Sequence, residues 1–73
     1  MSIIATVIYK RNQELSYGES FDNCIYAIEE AIDTVPDMYL QDMDNLQIHL
    51  RLKDGSTTKL NFTNAYNKER QYF

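Results

Sequence analysis

Two segments of the chain carry the alternating apolar and polar pattern of a strand with one buried face. The clearer segment has an aliphatic residue at every second position: Leu46, Ile48, Leu50 and Leu52. The other segment, residues 3–9, reads IIATVIY and is rich in the β-branched and aromatic residues that favour strands. We therefore predict a strand in each segment.

The first strand is predicted to pair with residues 14–17, which follow a polar break at residues 11–13. A three-residue loop at this break sets Tyr9 opposite Leu15 and Val7 opposite Tyr17, so that each face pairs like with like.

The second strand is followed by the turn-forming pair Asp54-Gly55. A two-residue turn would place a leucine opposite a lysine, whereas a three-residue loop with a left-handed Gly55 keeps the apolar faces together. The expected partners are then Ile48 with Leu60, and Leu46 with Phe62.

Between the two hairpins the apolar spacing changes to that of a helix. Apolar residues recur at intervals of four and three along one predicted stripe: Phe21, Ile25, Ile28, Ile32 and Val35. Ser20 or Asp22 is the expected N-terminal cap, and Pro36 is expected to end the helix. Residues 37–45 form a polar connection with room for a short helical turn.

The order hairpin, helix, hairpin (ββαββ) predicts an α+β fold, with a four-stranded sheet and one helix packed on one face. A β-grasp-like arrangement, with the first and last strands adjacent and parallel, is one way to realise it, and this likeness of element order implies no function. Residues 1–73 are expected to form a single domain. The tail at residues 64–73 either continues the last strand or forms one or two helical turns capped by Asn64.

The net charge of −4 is unevenly distributed, since residues 19–44 contain eight acids and no Lys or Arg. On the predicted helix, acids and one tyrosine fall opposite the apolar stripe. The candidate partner-binding residues are Asp22, Tyr26, Glu29, Glu30, Asp33, Asp37, Asp42 and Asp44. A row of carboxylates can imitate a nucleic-acid strand, occupy a basic groove and accelerate association. The equally weighted alternative is an acidic helix face that only keeps the protein in solution.

The leading hypothesis is a non-enzymatic binding module, an inhibitor of the type made by bacteriophages, that blocks a basic, nucleic-acid-binding surface of a partner protein. The comparison with phage inhibitors is an analogy of size and charge, because no sequence motif is matched. Direct contact with nucleic acid is not expected, since the acidic segment would repel phosphates.

Groups for catalysis or metal binding are sparse. His49 is the single histidine and Cys24 the single cysteine, which is too few for a closed zinc site. Two glycines, at positions 18 and 55, cannot form a glycine-rich phosphate loop. We therefore expect no enzyme activity, no cofactor and no metal. His49 is interpreted as a solvated strand residue and Cys24 as a packing residue.

The expected location is the cytoplasm. One cysteine allows no internal disulfide, which secreted domains of this size usually need. The apolar run at residues 3–8 is too short for a signal peptide or a membrane span, so no membrane association is expected.

The first strand provides the alternative hypothesis. Its two faces are both apolar: one carries Ile3, Ala5, Val7 and Tyr9, and the other carries Ile4, Thr6 and Ile8. Because one helix covers one face of a sheet, the other face needs a different cover. The candidates are the tyrosine-rich tail with Tyr66, Tyr72 and Phe73, a second copy of the protein, or another partner. The alternative function is thus a structural or regulatory subunit that acts through homodimerisation or sheet pairing.

Overall fold

The computed structural model describes residues 2–70, with side chains up to Lys68. Four strands form one sheet: β1 (Ile3–Tyr9), β2 (Gln13–Ser20), β3 (Leu46–Arg51) and β4 (Thr57–Asn61). The strand order is β2-β1-β3-β4, and each neighbouring pair is antiparallel. Together with the helices packed on this sheet, the arrangement confirms the predicted α+β class.

The helical elements are α1 (Cys24–Asp33), α2 (Asp37–Leu40), a 3-10 helix (Met43–Asn45) and α3 (Phe62–Arg70). The first of these, α1, crosses β1 and β2, while α3 packs beside β3 and the 3-10 helix. Both contribute to a single core, where β1 and β3 meet the helices and Phe62 is fully buried. The other side of the sheet, called the open face below, is covered by no helix of the described residues.

The β-grasp-like strand order is not observed. In that arrangement β1 would lie beside β4 and run parallel to it, but β1 lies between β2 and β3. The reason is the connection after α1, which ends beside the first hairpin turn, where the Lys10 amide donates to the Asn45 carbonyl at 2.9 Å. The strand that leaves this point begins beside Tyr9, so it has to run antiparallel to β1.

The first hairpin differs from its predicted register. Its loop is residues 10–12, Tyr9 pairs with Gln13, and Val7 pairs with Ser16 because a bulge interrupts the ladder after Val7. The loop turns through positive φ angles of 51° at Lys10 and 77° at Arg11. The expected pairs of Tyr9 with Leu15 and of Val7 with Tyr17 are therefore wrong. The bulge moves Tyr17 to the open face.

The second hairpin has the predicted loop. Ile48 pairs with Leu60, and the Leu52 amide donates to the Ser56 carbonyl at 2.8 Å, which closes a loop of three residues. Gly55 has a φ of 90°, so its left-handed conformation is confirmed.

The described part of the tail, up to Arg70, belongs to the helix α3 instead of continuing β4. The strand ends at Asn61, so Phe62, expected opposite Leu46, is instead the first residue of α3. The Asn61 Oδ1 accepts the Asn64 amide at 2.9 Å, so Asn61 is the capping side chain. The prediction that Asn64 caps this helix is therefore wrong. Tyr72 and Phe73 lie outside the described residues.

The helix α1 begins later than predicted. Asn23 is its cap, because the Asn23 Oδ1 accepts the Ile25 amide at 2.8 Å. Ser20, a predicted cap, accepts the Asn23 amide within the preceding turn, and Asp22 caps nothing. The helix ends at Asp33, before Pro36, as predicted.

The buried face of α1 is rotated relative to the predicted stripe. Ala27, Ala31 and Ile32 are buried, whereas Phe21 is 72% exposed and Ile25 is 61% exposed. Small residues face the sheet because the helix backbone lies close against β2. Phe21 and Ile25 therefore belong to the surface, which corrects two of the five stripe positions.

Candidate partner-binding surface on α1

The outer face of α1 combines apolar and acidic side chains. Its residues recur at helical spacing along the side turned away from the sheet, and Phe21 precedes them in the turn before the helix. We define this surface, the α1 surface, by Phe21, Ile25, Tyr26, Glu29 and Asp33. Tyr26 is 63% exposed, similar to Ile25. Three large apolar side chains are thus presented to solvent beside two carboxylates.

Glu29 and Asp33 have no opposing charge among the described side chains. Asp33 is exposed and Glu29 half-buried, and neither has a Lys or Arg within ion-pair distance. One helical turn separates them, about 6 Å of rise. Both carboxylates therefore remain available to a basic partner.

Asp22, another predicted site residue, has a neighbouring base. Its carboxylate lies 3.8 Å from the Lys53 Nζ, and 94% of the Asp22 side chain is exposed. A pair this exposed contributes little to stability. It nevertheless reduces the negative charge that Asp22 presents at the start of α1.

Glu30 stabilises the edge of the sheet. Its Oε2 accepts the backbone amide of Glu19 at 3.2 Å. This amide belongs to β2, which is an edge strand of the sheet. The carboxylate of Glu30 thus holds α1 to β2, and this structural role removes it from the set of free acids.

Asp42 also has a structural role. Its two carboxylate oxygens accept the Tyr9 hydroxyl and the Asn45 side-chain amide, both at 2.8 Å. These two hydrogen bonds lower the pKa of Asp42 below its ordinary value. The Tyr9 ring meets the Tyr39 ring edge to face, with centroids 5.0 Å apart. Asp42 therefore joins the connection after α2 to β1.

The remaining predicted site residues, Asp37 and Asp44, are exposed and lie in the segment between α1 and β3. Asp44 lies beside Lys10 and Arg11, with which it lines an open depression of about 310 Å³. The bases of the first hairpin thus partly compensate this end of the acidic segment. The structure divides the eight predicted residues, and those without a counter-charge or a structural role concentrate on α1.

The single histidine and the single cysteine lie on opposite sides of the sheet. His49 is half-buried on the open face, and its Nε2 is enclosed without a hydrogen-bond partner among the described residues, so it is less solvated than expected. Cys24 is half-buried and packs against the core. Among the side chains described, up to Lys68, no three His, Cys, Asp or Glu residues form a group that could hold a metal ion.

Sequence reasoning missed the exposed Phe21 and Ile25 because their spacing matches the apolar stripe. A signal was present in the small residues Gly18, Ala27 and Ala31, which together allow a helix to lie close on a strand. Counting these alanines as the buried face would have rotated the helix to its observed position.

A search for membrane-spanning helices and comparisons with known proteins gave no further indication of function. No helix of the described residues is long and apolar enough to cross a membrane. Comparisons with models of protein families, with curated protein sequences and with solved structures found no match. The function is therefore argued from the geometry of the α1 surface.

Proposed function

We propose that the protein is a non-enzymatic binding module whose α1 surface engages a basic region of a partner protein. The observation that carries this proposal is the exposure of Phe21, Ile25 and Tyr26 on the side of α1 that also carries Glu29 and Asp33. An apolar side chain exposed on a helix gains free energy when a partner covers it.

The two kinds of side chain have different tasks in such a contact. Aromatic and aliphatic residues near the centre of an interface provide most of the affinity when they are desolvated. Unpaired carboxylates at Glu29 and Asp33 attract a basic partner over longer distances and fix its orientation. Together they favour a partner that presents Lys or Arg around an apolar pocket.

Basic protein surfaces commonly bind nucleic acid, so occupation of such a surface would inhibit the partner. The carboxylates of the α1 surface would then take the place of phosphates. This is the mode of action of an inhibitor, and the acidic helix is consistent with the phage type.

The experiment begins with affinity capture from extracts of the source cell and purification of the captured protein. The test variant is Glu29→Lys with Asp33→Lys, which reverses the charge of the α1 surface. The matched control is Asp37→Lys with Asp44→Lys, which makes the same change of charge on exposed residues outside α1. Isothermal titration calorimetry then gives the dissociation constants.

We expect the test variant to weaken binding by more than about tenfold, because like charges set face to face cost several kcal/mol. The control is expected to bind nearly as tightly as the wild type. Wild-type binding should also weaken as salt rises and should displace nucleic acid from the partner. Equal affinity of the test variant and the wild type would contradict the proposal.

A further inference from the structure

The strand register arranges the open face in three rows that cross the sheet. Each row passes from β2 through β1 to β3, and its members are fixed by the backbone pairing. The rows are Glu19, Ile4 and Arg51; then Tyr17, Thr6 and His49; then Glu14, Ile8 and Gln47.

Charge is segregated along these rows. The β2 side of the open face is acidic, with Glu14 and Glu19, and the opposite side is basic, with Arg51 on β3 and Lys59 on β4. Between them, β1 contributes aliphatic side chains that are half-buried. The open face therefore has an acidic half and a basic half on either side of an apolar strand.

One acid of the acidic half, Glu19, is held in place by hydrogen bonds. The hydroxyls of Ser2 and Tyr17 both donate to the Glu19 carboxylate. These bonds lower the pKa of Glu19, so the group is charged at neutral pH. A fixed carboxylate loses less freedom when it meets a cation than a mobile one does.

The open face lies on a broad, thin molecule. The molecule measures 33 × 31 × 17 Å, so it is a thin slab of one sheet and one helical layer. The proposed contact is carried by the three neighbouring strands β2, β1 and β3, which hold all three rows.

From this pattern we propose that a second copy of the chain packs on the open face, with a twofold axis that lies parallel to the strands above β1. Rotation about this axis places β2 of one copy over β3 of the other. The position of each row along the strands does not change, so each row meets the same row of the other copy. Glu19 then faces Arg51 of the other copy, Ile4 faces Ile4, and Tyr17 faces His49. The two sheets pack as aligned layers, about 10 Å apart.

Two directions of the twofold axis would stack the open faces, one parallel and one perpendicular to the strands. The charges favour the parallel axis. A twofold axis perpendicular to the strands would place β2 over β2, and the acids Glu14 and Glu19 would face each other. Like charges opposed in an interface are strongly unfavourable. A self-complementary face of this kind suits the isologous contact of a symmetric dimer.

The dimer uses the side of the sheet opposite α1. Each copy would therefore keep its α1 surface exposed, and the dimer would present two of them on opposite sides. The inference goes beyond the proposed function and does not depend on it, because either surface can act without the other.

The experiment is sedimentation equilibrium of the full chain, first as wild type and then as Arg51→Glu and Glu19→Arg. We expect the wild type to be a dimer, and each single variant to raise the dissociation constant by at least about tenfold because it opposes like charges. Lys68→Glu is the matched control for Arg51→Glu, since it makes the same change of charge on α3 and should leave the dimer intact.

An equimolar mixture of the two single variants provides the decisive result. In a mixed dimer the Glu19 kept by one copy faces the Arg51 kept by the other. The two introduced side chains, a glutamate at position 51 and an arginine at position 19, also face each other. The mixture should therefore dimerise although neither variant does so alone. Rescue in the mixture cannot arise from interactions within one chain.

Isotope-filtered nuclear Overhauser spectra of the wild type should show contacts between β1 of the two copies. This measurement uses the wild type alone, so it does not depend on whether a variant folds. A wild type that remains monomeric at millimolar concentration would overturn the inference. A mixture of the two variants that stays monomeric would also overturn it. So would a Lys68→Glu variant that dissociates as readily as Arg51→Glu, or intermolecular contacts confined to the β4 edge.

Discussion

Gly18 of β2 lies directly under the backbone of Ala27 in α1. A Cβ at position 18 would lie 2.2 Å from the Ala27 carbonyl oxygen and 2.5 Å from the Ala31 amide nitrogen. Neither contact involves a side chain that could rotate away. This close approach sets which side of α1 faces the sheet, and so it also sets which residues form the α1 surface.

Gly18→Ala should therefore destabilise the protein by at least about 1–3 kcal/mol, the usual cost of overpacking a core. Gly55→Ala is the comparison, because no atom lies within 4 Å of a Cβ there and only its positive φ is strained. Urea denaturation should show the larger loss for Gly18→Ala. Unchanged stability of Gly18→Ala would mean that the helix does not lie as close to β2 as described.

Two isoleucines of α1 test its rotation with the same chemical change. Ile32 is 3% exposed and Ile25 is 61% exposed. Ile32→Ala should lower the free energy of unfolding by about 2–5 kcal/mol, and Ile25→Ala by no more than about 0.5 kcal/mol. Thermal or urea unfolding measures both. Equal losses would support the stripe predicted from sequence and contradict the observed rotation.

Ser16 is buried under α1, and its hydroxyl has no hydrogen-bond partner among the described residues. A buried hydroxyl without a partner costs free energy because its hydration is lost. Ser16→Ala should therefore leave stability unchanged or raise it. A loss of more than about 1 kcal/mol in urea denaturation would show that the hydroxyl has a stabilising contact.

The hydrogen bond from Tyr9 to Asp42 should make stability depend on pH. Because the folded pKa of Asp42 lies below its unfolded value, its contribution is fully present above the unfolded pKa and is lost as pH falls through the folded pKa. Tyr9→Phe keeps the ring but removes the largest cause of the shift. The free energy of unfolding of this variant should therefore fall less steeply below about pH 4.

Titration of the Asp42 carboxyl by NMR provides the direct measurement. Its pKa should be below the ordinary aspartate value in the wild type and should rise toward that value in Tyr9→Phe. Glu19 and Asp54, which also have lowered pKa values, are the internal controls because their hydrogen-bond partners are unchanged. An Asp42 pKa that does not move would contradict the structural role assigned to this acid.

The sequence predicted the elements whose geometry depends on neighbouring residues along the chain. The alternation that begins at Leu46 and the left-handed Gly55 were sufficient for the loop of the second hairpin and for the pairing of Ile48 with Leu60, but not for the end of β4 at Asn61. The first hairpin was not predictable in the same way, because Lys10 and Arg11 take positive φ angles that non-glycine residues rarely adopt. Its bulge, and with it the position of Tyr17, had no sequence signal.

The candidate site was predictable in its charge but not in its extent. The sequence locates the acids, but their counter-charges and hydrogen bonds come from distant segments. Lys53 approaches Asp22 from the second hairpin, and Tyr9 binds Asp42 from β1. The exposed Phe21 was assigned to the core because the contact that rotates α1 is not local.

Amide hydrogen exchange of the protein, alone and with the captured partner, shows directly whether the α1 surface is the part that binds the partner. We expect added protection across residues 21–33 and no added protection across β3. Protection confined to β1 and β3, with residues 21–33 exchanging as in the free protein, would contradict this expectation and would assign partner binding to the open face.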